Sequence, residues 1–469
     1  MGGGLLQLVA YGAQDVYLTG NPQITFFKVV YRRHTNFAIE AIQQTFSGSV
    51  NFGGTVYCQI SRNGDLIHRT YLQVDLPILT TNTDSYVNYV GLRLLKAITI
   101  EIGGQQIDKH YADWLYIWNE LSLPAGKRNA YNNMVGADAN IVNVGANSVN
   151  GTTTTLFIPF EFWFCRNIGL ALPLIALQYH EVRIKIDFAP LSDCVYNNTT
   201  GSSTGITSTI ALSNANIWVD YIYLDTDERR KFAQLSHEYL IEQLQFTGAE
   251  NLSTNTNSIK LNFNHPVKEL IWVGKFNGMS GSQQANNQWY NYTWPYIGSG
   301  PATWNSNYGL PNNTLADFLN IGSTIGTTSN IIVDGVANCN ISVSNLINNQ
   351  IDPYFDNFVA TSNINPFNTC LLQLNGNDRF NVRPGNYFNL VQQYQHHTNI
   401  SQNRGINVYS FALKPEEHQP SGSLNMSRID TAVLQVTPYQ NVSGNILIYA
   451  VNYNVLRILS GMGGLAYSN

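Results

Sequence analysis

Charge is what this sequence has least of. Only 12% of its 469 residues are Asp, Glu, Lys or Arg, about half the share usual in soluble domains. The formal net charge is -5 and the pI is about 6.0. That balance argues against non-specific nucleic-acid binding, which needs a basic face. Cysteine is nearly as scarce. Cys58, Cys165, Cys194, Cys339 and Cys370 make an odd count of 5, and no two stand at CxxC spacing. That excludes a disulfide framework or a zinc site and points to a reducing compartment. No apolar run approaches the roughly 20 residues of a membrane span. The opening MGGGLLQLVAYGAQ has no basic stretch, and its apolar run from Leu5 to Ala10 is too short for a signal peptide. The N-terminal acylation pattern wants Ser or Thr at position 6, where this chain has Leu6.

Catalytic patterns are missing too. His180-Glu181 and His237-Glu238 begin a metalloprotease motif but are followed by Arg183-Ile184 and Leu240-Ile241, not by a second His. Gly278-Met279-Ser280-Gly281-Ser282 fails the nucleophile elbow at its last position. Gly461-Met462-Gly463-Gly464 has no phosphate-loop context and reads as a flexible tail. His396-His397, if on a strand, point to opposite faces and cannot chelate together. Asp225, Asp227 and Glu228 lie beside Arg229 and Arg230, so they read as a solvated linker rather than a glycosidase pair. No enzyme activity, metal or cofactor is expected.

What is present is aromatic and neutral. Phe, Trp and Tyr reach 12%, and the polar part is carried by Asn, Ser, Thr and Gly. Such a surface suits wide protein contacts or glycan contacts. Strand-like segments recur between turn signals: Ile24–Tyr31 and Ile217–Leu224, and, with period-2 alternation, Thr55–Ser61, Tyr71–Leu76, Ile98–Ile102 and Val182–Phe188. Leu156 to Phe164 is apolar but for Glu161, as in a strand buried on both faces. His110 to Leu121 carries Tyr111, Trp114, Leu115, Trp118 and Leu121 at helical spacing and predicts an amphipathic helix. Strand patterns restart with Tyr239–Phe246, Ile259–Phe263 and Leu270–Val273. Residues 275 to 368 read as elaborated surface loops with small strands of their own.

The second half repeats the first. Ile100 to Gln105 pairs with Leu372 to Asn377, each a strand closed by a glycine turn. The Gly169–Ile186 run pairs with the stretch His418 to Val436, and Ile222-Tyr223-Leu224 with Ile448-Tyr449-Ala450. A period above 200 residues is a duplicated domain, and many short strands per half imply two all-β sandwiches in tandem. The paired runs each contain a corner. In the second copy its candidate residues are Pro420 and Gly422, which encode the turn, and Arg428 and Asp430, which could tie it to a sheet.

Three features are open to a binding reading. Lys28, Arg32, Arg33 and His34 form a basic cluster, either a solvated strand end or a docking patch for an acidic neighbour or lipid head groups. Trp289, Tyr290, Tyr292, Trp294 and Trp304 could be sugar platforms of a lectin-like attachment protein; packing within a large loop is favoured. Asn291, Asn312, Asn340 and Asn399 head glycosylation sequons, although without a secretory signal they would not meet the host machinery.

Several long motifs carry a family resemblance. Tyr11 to Ala38 (YGAQDVYLTGNPQITFFKVVYRRHTNFA), Ile60 to Ile67 (ISRNGDLI), Gly169 to Val182, His237 to Gly248, Gln419 to Asp430 and Asn452 to Asn469 (NYNVLRILSGMGGLAYSN) resemble the major capsid protein of large icosahedral DNA viruses, especially those of algae. The resemblance implies a double jelly roll, a homotrimer with six similar blocks around its axis, and pseudo-hexagonal capsomers that tile an icosahedral shell. It also implies neighbouring capsomers, minor capsid proteins and an internal viral membrane as partners, the membrane near the N-terminal arm. The expected location is the outer capsid of a virion assembled in the host cytoplasm. The expected divisions are an arm at 1–24, a first jelly roll at 25–225, a linker at 226–237, a second jelly roll at 238–460 and a tail at 461–469.

Overall fold

Alternation decides which segments can lie half-buried in a sandwich. Val182–Phe188 is the plainest case: Val182, Ile184, Ile186 and Phe188 point inward and the residues between them outward. The computed structural model describes residues 7–467 except 11, 82, 138–153, 198–204, 207–209, 213, 277–288, 293–328, 331–339, 342–364, 402 and 439–443. The chain divides into two compact units, Met1–Phe37 and Ala38–Asn469.

In the first half the strands are β1 (Phe37–Gln44), β2 (Thr55–Gln59), β3 (Leu66–Leu76), β4 (Asp84–Tyr86), β5 (Leu95–Ile102) and β6 (Gln105–Tyr111). They continue with β7 (Thr154–Pro159), β8 (Leu172–Pro173), β9 (Val182–Phe188), β10 (Val195–Asn197) and β11 (Asn214–Leu224). The second half begins with β12 (His237–Leu252), β13 (Asn257–Lys260), β14 (Pro266–Phe276), β15 (Ser329–Asn330) and β16 (Asn340–Ile341). Then come β17 (Phe367–Leu374), β18 (Asn377–Asp378), β19 (Arg383–Pro384), β20 (Asn407–Ser410), β21 (Leu424–Asn425), β22 (Ala432–Pro438), β23 (Gly444–Leu459) and β24 (Met462–Leu465).

The main sheets of the two halves repeat in the same order, with β4-β10, β15-β16, β19 and β24 standing outside the repeat. One sheet of the first sandwich runs β1-β11-β3-β7 with β8 on β3; its counterpart runs β12-β23-β14-β20 with β21 on β14. The facing sheets run β2-β9-β5-β6 and β13-β22-β17-β18. The expected double jelly roll is therefore present, and its duplication extends to register. Ile67 pairs with Leu172, and Val267 with Leu424. Leu72 pairs with Ile217, and Trp272 with Ile448. Ile217 is thus the counterpart of Ile448. The motif comparison had matched Ile222 to it, finding the right strand in the wrong register, because short β motifs repeat along a strand.

Several local expectations change. Ile24–Tyr31 forms no strand; its Ile24, Phe26, Phe27, Val29, Val30 and Tyr31 are exposed. A strand-like segment becomes a strand only where an edge is available to pair with. The strand expected to run to Phe164 ends at Pro159, and Trp163–Arg166 makes a helical turn; proline has no N–H for a ladder. The helix expected from His110 starts at Ala112 and runs to Ser122, because β6 takes His110 and Tyr111. Within the expected linker 226–237, Thr226–Gln234 is a helix: Asp225 accepts from the Thr226 N–H, Asp227 and Glu228 lie in the first turn, and Lys231 lies in the last. The Asn63-Gly64 turn carries the chain from one sheet to the other. A Cβ on Gly64 would lie 2.9 Å from the Tyr221 Cβ, so close approach fixes this glycine.

The expected flexible tail is also a strand. β24 pairs with β23 (Leu459 with Met462, Leu456 with Leu465), turning through Ser460 and Gly461 at positive φ. This hairpin ties the second sandwich to the first. Tyr179 N–H donates to Gly461 O (2.9 Å), and Gly463 N–H to His180 Nδ1 (3.1 Å). A Cβ on Gly463 would lie 2.5 Å from Leu177 Cδ2, so only glycine fits there without displacing the first sandwich.

The sandwiches share one core. The outer face of the β12-β23-β14-β20 sheet presents Ile271, Val273, Ile406, Leu447, Tyr449 and Val451 to the same apolar cluster as the first sandwich's interior. The helix Ala112–Ser122 lies at this junction, with Trp114 and Tyr449 at 5.5 Å between ring centroids. Each fully buried aliphatic or aromatic side chain there contributes roughly 1.5–3 kcal/mol.

Candidate assembly surfaces

Around the start of β14 lies a buried ionic network that spans both sandwiches. Lys268 is fully buried and reaches Glu242 of β12 at 2.7 Å. Arg166 of the first sandwich takes the other oxygen of Glu242 at 2.8 Å and lies over the Trp118 ring. His397 stands between two carboxylates, Glu269 at 3.0 Å from Nε2 and Glu416 at 2.9 Å from Nδ1. A ring with a carboxylate at each nitrogen is held as the imidazolium. Three cations thus face three anions; Lys268, His397, Glu242 and Glu269 are buried, while Arg166 and Glu416 border the cleft.

The electrostatics follow from that packing. Burial alone would raise the Glu242 pKa, but Arg166 and then Lys268 outweigh it and hold the carboxyl below its usual range. Burial pulls the Lys268 pKa down despite Glu242. Burial also opposes charge on His397, yet Glu269 and Glu416 raise its pKa to about 9. Burial lowers the pKa of His418, which lies 4.0 Å from Glu242. A cleft of about 480 Å³ opens beside the network, lined by His68, Arg166, Glu242, Glu416 and His418 among others. Its carboxylates are already paired, so the arrangement joins two domains and offers no free acid–base pair.

The corner is held by other residues than those expected. Ser427 Oγ accepts from the His265 N–H (2.8 Å), Met426 N–H donates to His265 O (2.9 Å), and Met426 is buried. Ser421 ties the loop, its carbonyl accepting from the Leu413 N–H (3.2 Å) and its Oγ from the Lys414 N–H (2.9 Å). Gly422 sits at φ +134, with Phe411 O 2.7 Å from where a Cβ would be; Pro420 is exposed. Arg428 and Asp430 are exposed and make no ion pair or side-chain hydrogen bond among the described residues. Their expected role in tying the corner is therefore corrected, because short neighbours reach the backbone first. Arg428→Ala is expected to leave thermal unfolding of the isolated chain within about 0.5 kcal/mol of the parent. A loss well above that, read by calorimetry, would restore the guanidinium to the corner.

Two sugar-acceptor candidates are closed in the folded chain. Asn291 is buried, and Asn399 donates its side-chain amide to Leu123 O while its backbone N–H bonds Leu121 O (3.0 Å). Asn340 begins β16. Asn312 lies outside the described residues, as do Trp294, Trp304 and Cys339. Trp289, Tyr290 and Tyr292 are packed: Trp289 Nε1–H donates to Asn88 O (2.8 Å), Tyr292 O–H to Asp113 (2.7 Å), and Tyr290 meets Tyr89 edge-on at 4.9 Å. His396 and His397 close a short helix rather than sit on a strand; His396 Nδ1 lies 3.0 Å from Leu413 O. Lys28, Arg32, Arg33 and His34 are exposed. The ionic network was missed because its members are scattered singly through the sequence; the only local signal was Lys268-Glu269 inside an apolar strand.

Comparison with known proteins bears on what these surfaces are for. A family model described as "Major capsid protein N-terminus" matches residues 25–225, and one described as "Large eukaryotic DNA virus major capsid protein" matches residues 228–464. The chain is 48% identical to the major capsid protein of Pyramimonas orientalis virus, 46% to that of Phaeocystis pouchetii virus and 42% to that of Paramecium bursaria Chlorella virus 1, over 100% of both chains in each case. Its fold is similar to a chain of the PBCV-1 virus capsid, with a TM-score of 0.69 and 35% identity over 95% of this chain and 100% of that one.

Proposed function

This chain belongs to the major capsid proteins of large eukaryotic DNA viruses, and from that premise we propose that three copies close into a pseudo-hexagonal capsomer. The protein is a structural component of a virus capsid and not a lectin-like attachment factor. The observation that carries the trimer is the duplication of the two four-stranded sheets in the same strand order. Two equivalent sandwiches per chain, three chains per ring, place six similar blocks around one axis and make a tile that packs with its neighbours. The first sandwich reads as a domain from β1 to β11 and the second as a domain from β12 to β24, because Ile24–Tyr31 forms no strand and β24 pairs with β23.

The exposed apolar run at Ile24–Tyr31, with Lys28, Arg32 and Arg33 interleaved, suits contact with minor capsid proteins or the head groups of an internal membrane. Assembly takes place in the host cytoplasm, where the free buried thiols Cys58, Cys165, Cys194 and Cys370 are kept reduced. Enzyme activity is no part of this role. Light scattering on the purified chain is expected to give the mass of a trimer, and electron microscopy hexagonal plates. A species that stays monomeric at all concentrations would refute the capsomer.

A further inference from the structure

The contact between the two sandwiches of one chain uses one face and one helix, and among the described residues leaves the equivalent face and helix without such a contact. The face in use is the outer side of β12-β23-β14-β20, where Ile271, Ile406 and Tyr449 are buried. The helix on it is Ala112–Ser122, fixed by Trp114 against Tyr449 (5.5 Å) and by Asp113 to Lys275 of β14 (2.7 Å).

In the first sandwich the same face belongs to β1-β11-β3-β7. Tyr71 pairs with Trp218 as Ile271 pairs with Tyr449, and Tyr71 pairs with Pro159 as Ile271 pairs with Val408. Tyr71, Trp218 and Phe157 therefore stand where Ile271, Tyr449 and Ile406 stand in the second sandwich. They form a patch: Tyr71 stacks on Trp218 (6.5 Å, interplanar 8°), with Phe157 edge-on to Tyr71 (6.2 Å). Phe157 is 37% exposed whereas Ile406 is 0% exposed, and Tyr71 and Trp218 are only half-buried.

The helix is duplicated as well. Ala112–Ser122 follows the β5-β6 hairpin, and the helical segment Tyr387–His396 follows the β17-β18 hairpin and β19. This second segment turns Val391 and Tyr394 to solvent, Tyr394 by 76%. We propose that the segment Tyr387–His396 of one copy packs on the Tyr71, Phe157 and Trp218 face of the next copy, so that the contact within a chain recurs between chains.

The occupant is a second copy of this chain because the chain itself displays the complex, with its own first helix on its own second face. Such a contact is heterologous, and it closes into a ring when its rotation allows. Aromatic anchors meeting an aromatic patch are also what interface centres are made of. This inference rests on the capsomer reading and deepens it by naming the surfaces.

The test is a pair of cysteines, Tyr394→Cys with Phe157→Cys, in the full chain under mild oxidation. The double variant is expected to give covalent dimers and trimers on a non-reducing gel. Mixing the two single variants should give only dimers. Tyr394→Asp is expected to weaken trimer formation roughly tenfold or more, with the melting of the isolated chain unchanged. Trimers that persist with Tyr394→Asp, together with a double variant that sediments as a trimer but yields no covalent species, would overturn the contact and leave the capsomer intact. A chain that never trimerises would remove both.

Discussion

Replacing Glu242 with Ala is expected to cost roughly 3–5 kcal/mol of stability, the range for breaking a buried ion pair from one side. Lys268 is fully buried and pairs with Glu242 at 2.7 Å, and Arg166 pairs with the same carboxylate at 2.8 Å. Removing the anion leaves both cations in a low-dielectric setting, where an uncompensated charge is worse than none. Arg166 can turn to the adjoining cleft and water, but Lys268 cannot. Urea unfolding reads the loss. The discriminating measurement is the double variant Glu242→Met with Lys268→Met, which is expected to recover most of it. If the double variant is no more stable than Glu242→Ala alone, then packing and not charge explains the loss.

Raising the pH is expected to loosen the same region. His397 has a folded-state pKa of about 9, above the ordinary histidine value of about 6.5. A raised pKa means the folded state holds the proton more tightly than the unfolded state. The stabilisation is thus fully present below about 6.5 and is lost as pH climbs through about 9; it is on the order of 3 kcal/mol. The groups facing the ring are Glu269 and Glu416, the latter also held by Thr398, while Lys268 lies beyond Glu269. Lys268, whose pKa burial lowers, titrates in the opposite sense on the alkaline side, so the wild-type curve alone is ambiguous. The difference between wild type and His397→Gln isolates the histidine: it should shrink steadily from pH 6.5 to 9.5. A difference that is flat across that range would show that His397 is not charged in the fold.

The fold was largely legible because strand periodicity and turn chemistry are local. Val182–Phe188 and Ile98–Ile102 alternate within themselves, and the structure places them as β9 and within β5. The duplication was legible for the same reason. Register was not, since Ile222 and Ile217 offer the same pattern and only cross-strand partners separate them. The corner illustrates a second limit. Arg428 and Asp430 are the conspicuous side chains of their stretch, yet Ser427, Met426 and His265 make the bonds. Sequence shows which residues can bond strongly, whereas reach to a particular carbonyl is a property of the folded backbone. The ionic network lay furthest from sight, because Arg166, Glu242, Lys268 and His397 belong to four separate elements.

The C-terminal hairpin carries a consequence for how the protein is made. Gly461, Gly463 and Leu465 bond Tyr179, His180 and Gln105, so the clasp between the sandwiches joins Gly463 to His180, made 283 positions earlier in the chain. During translation the first sandwich can finish folding long before its clasp exists. Throughout that interval the surface around Leu177 and Tyr179 stays open. A chain cut before Gly461 is therefore expected to fold its first sandwich yet leave the two sandwiches unclasped, which hydrogen exchange around Leu177 would read.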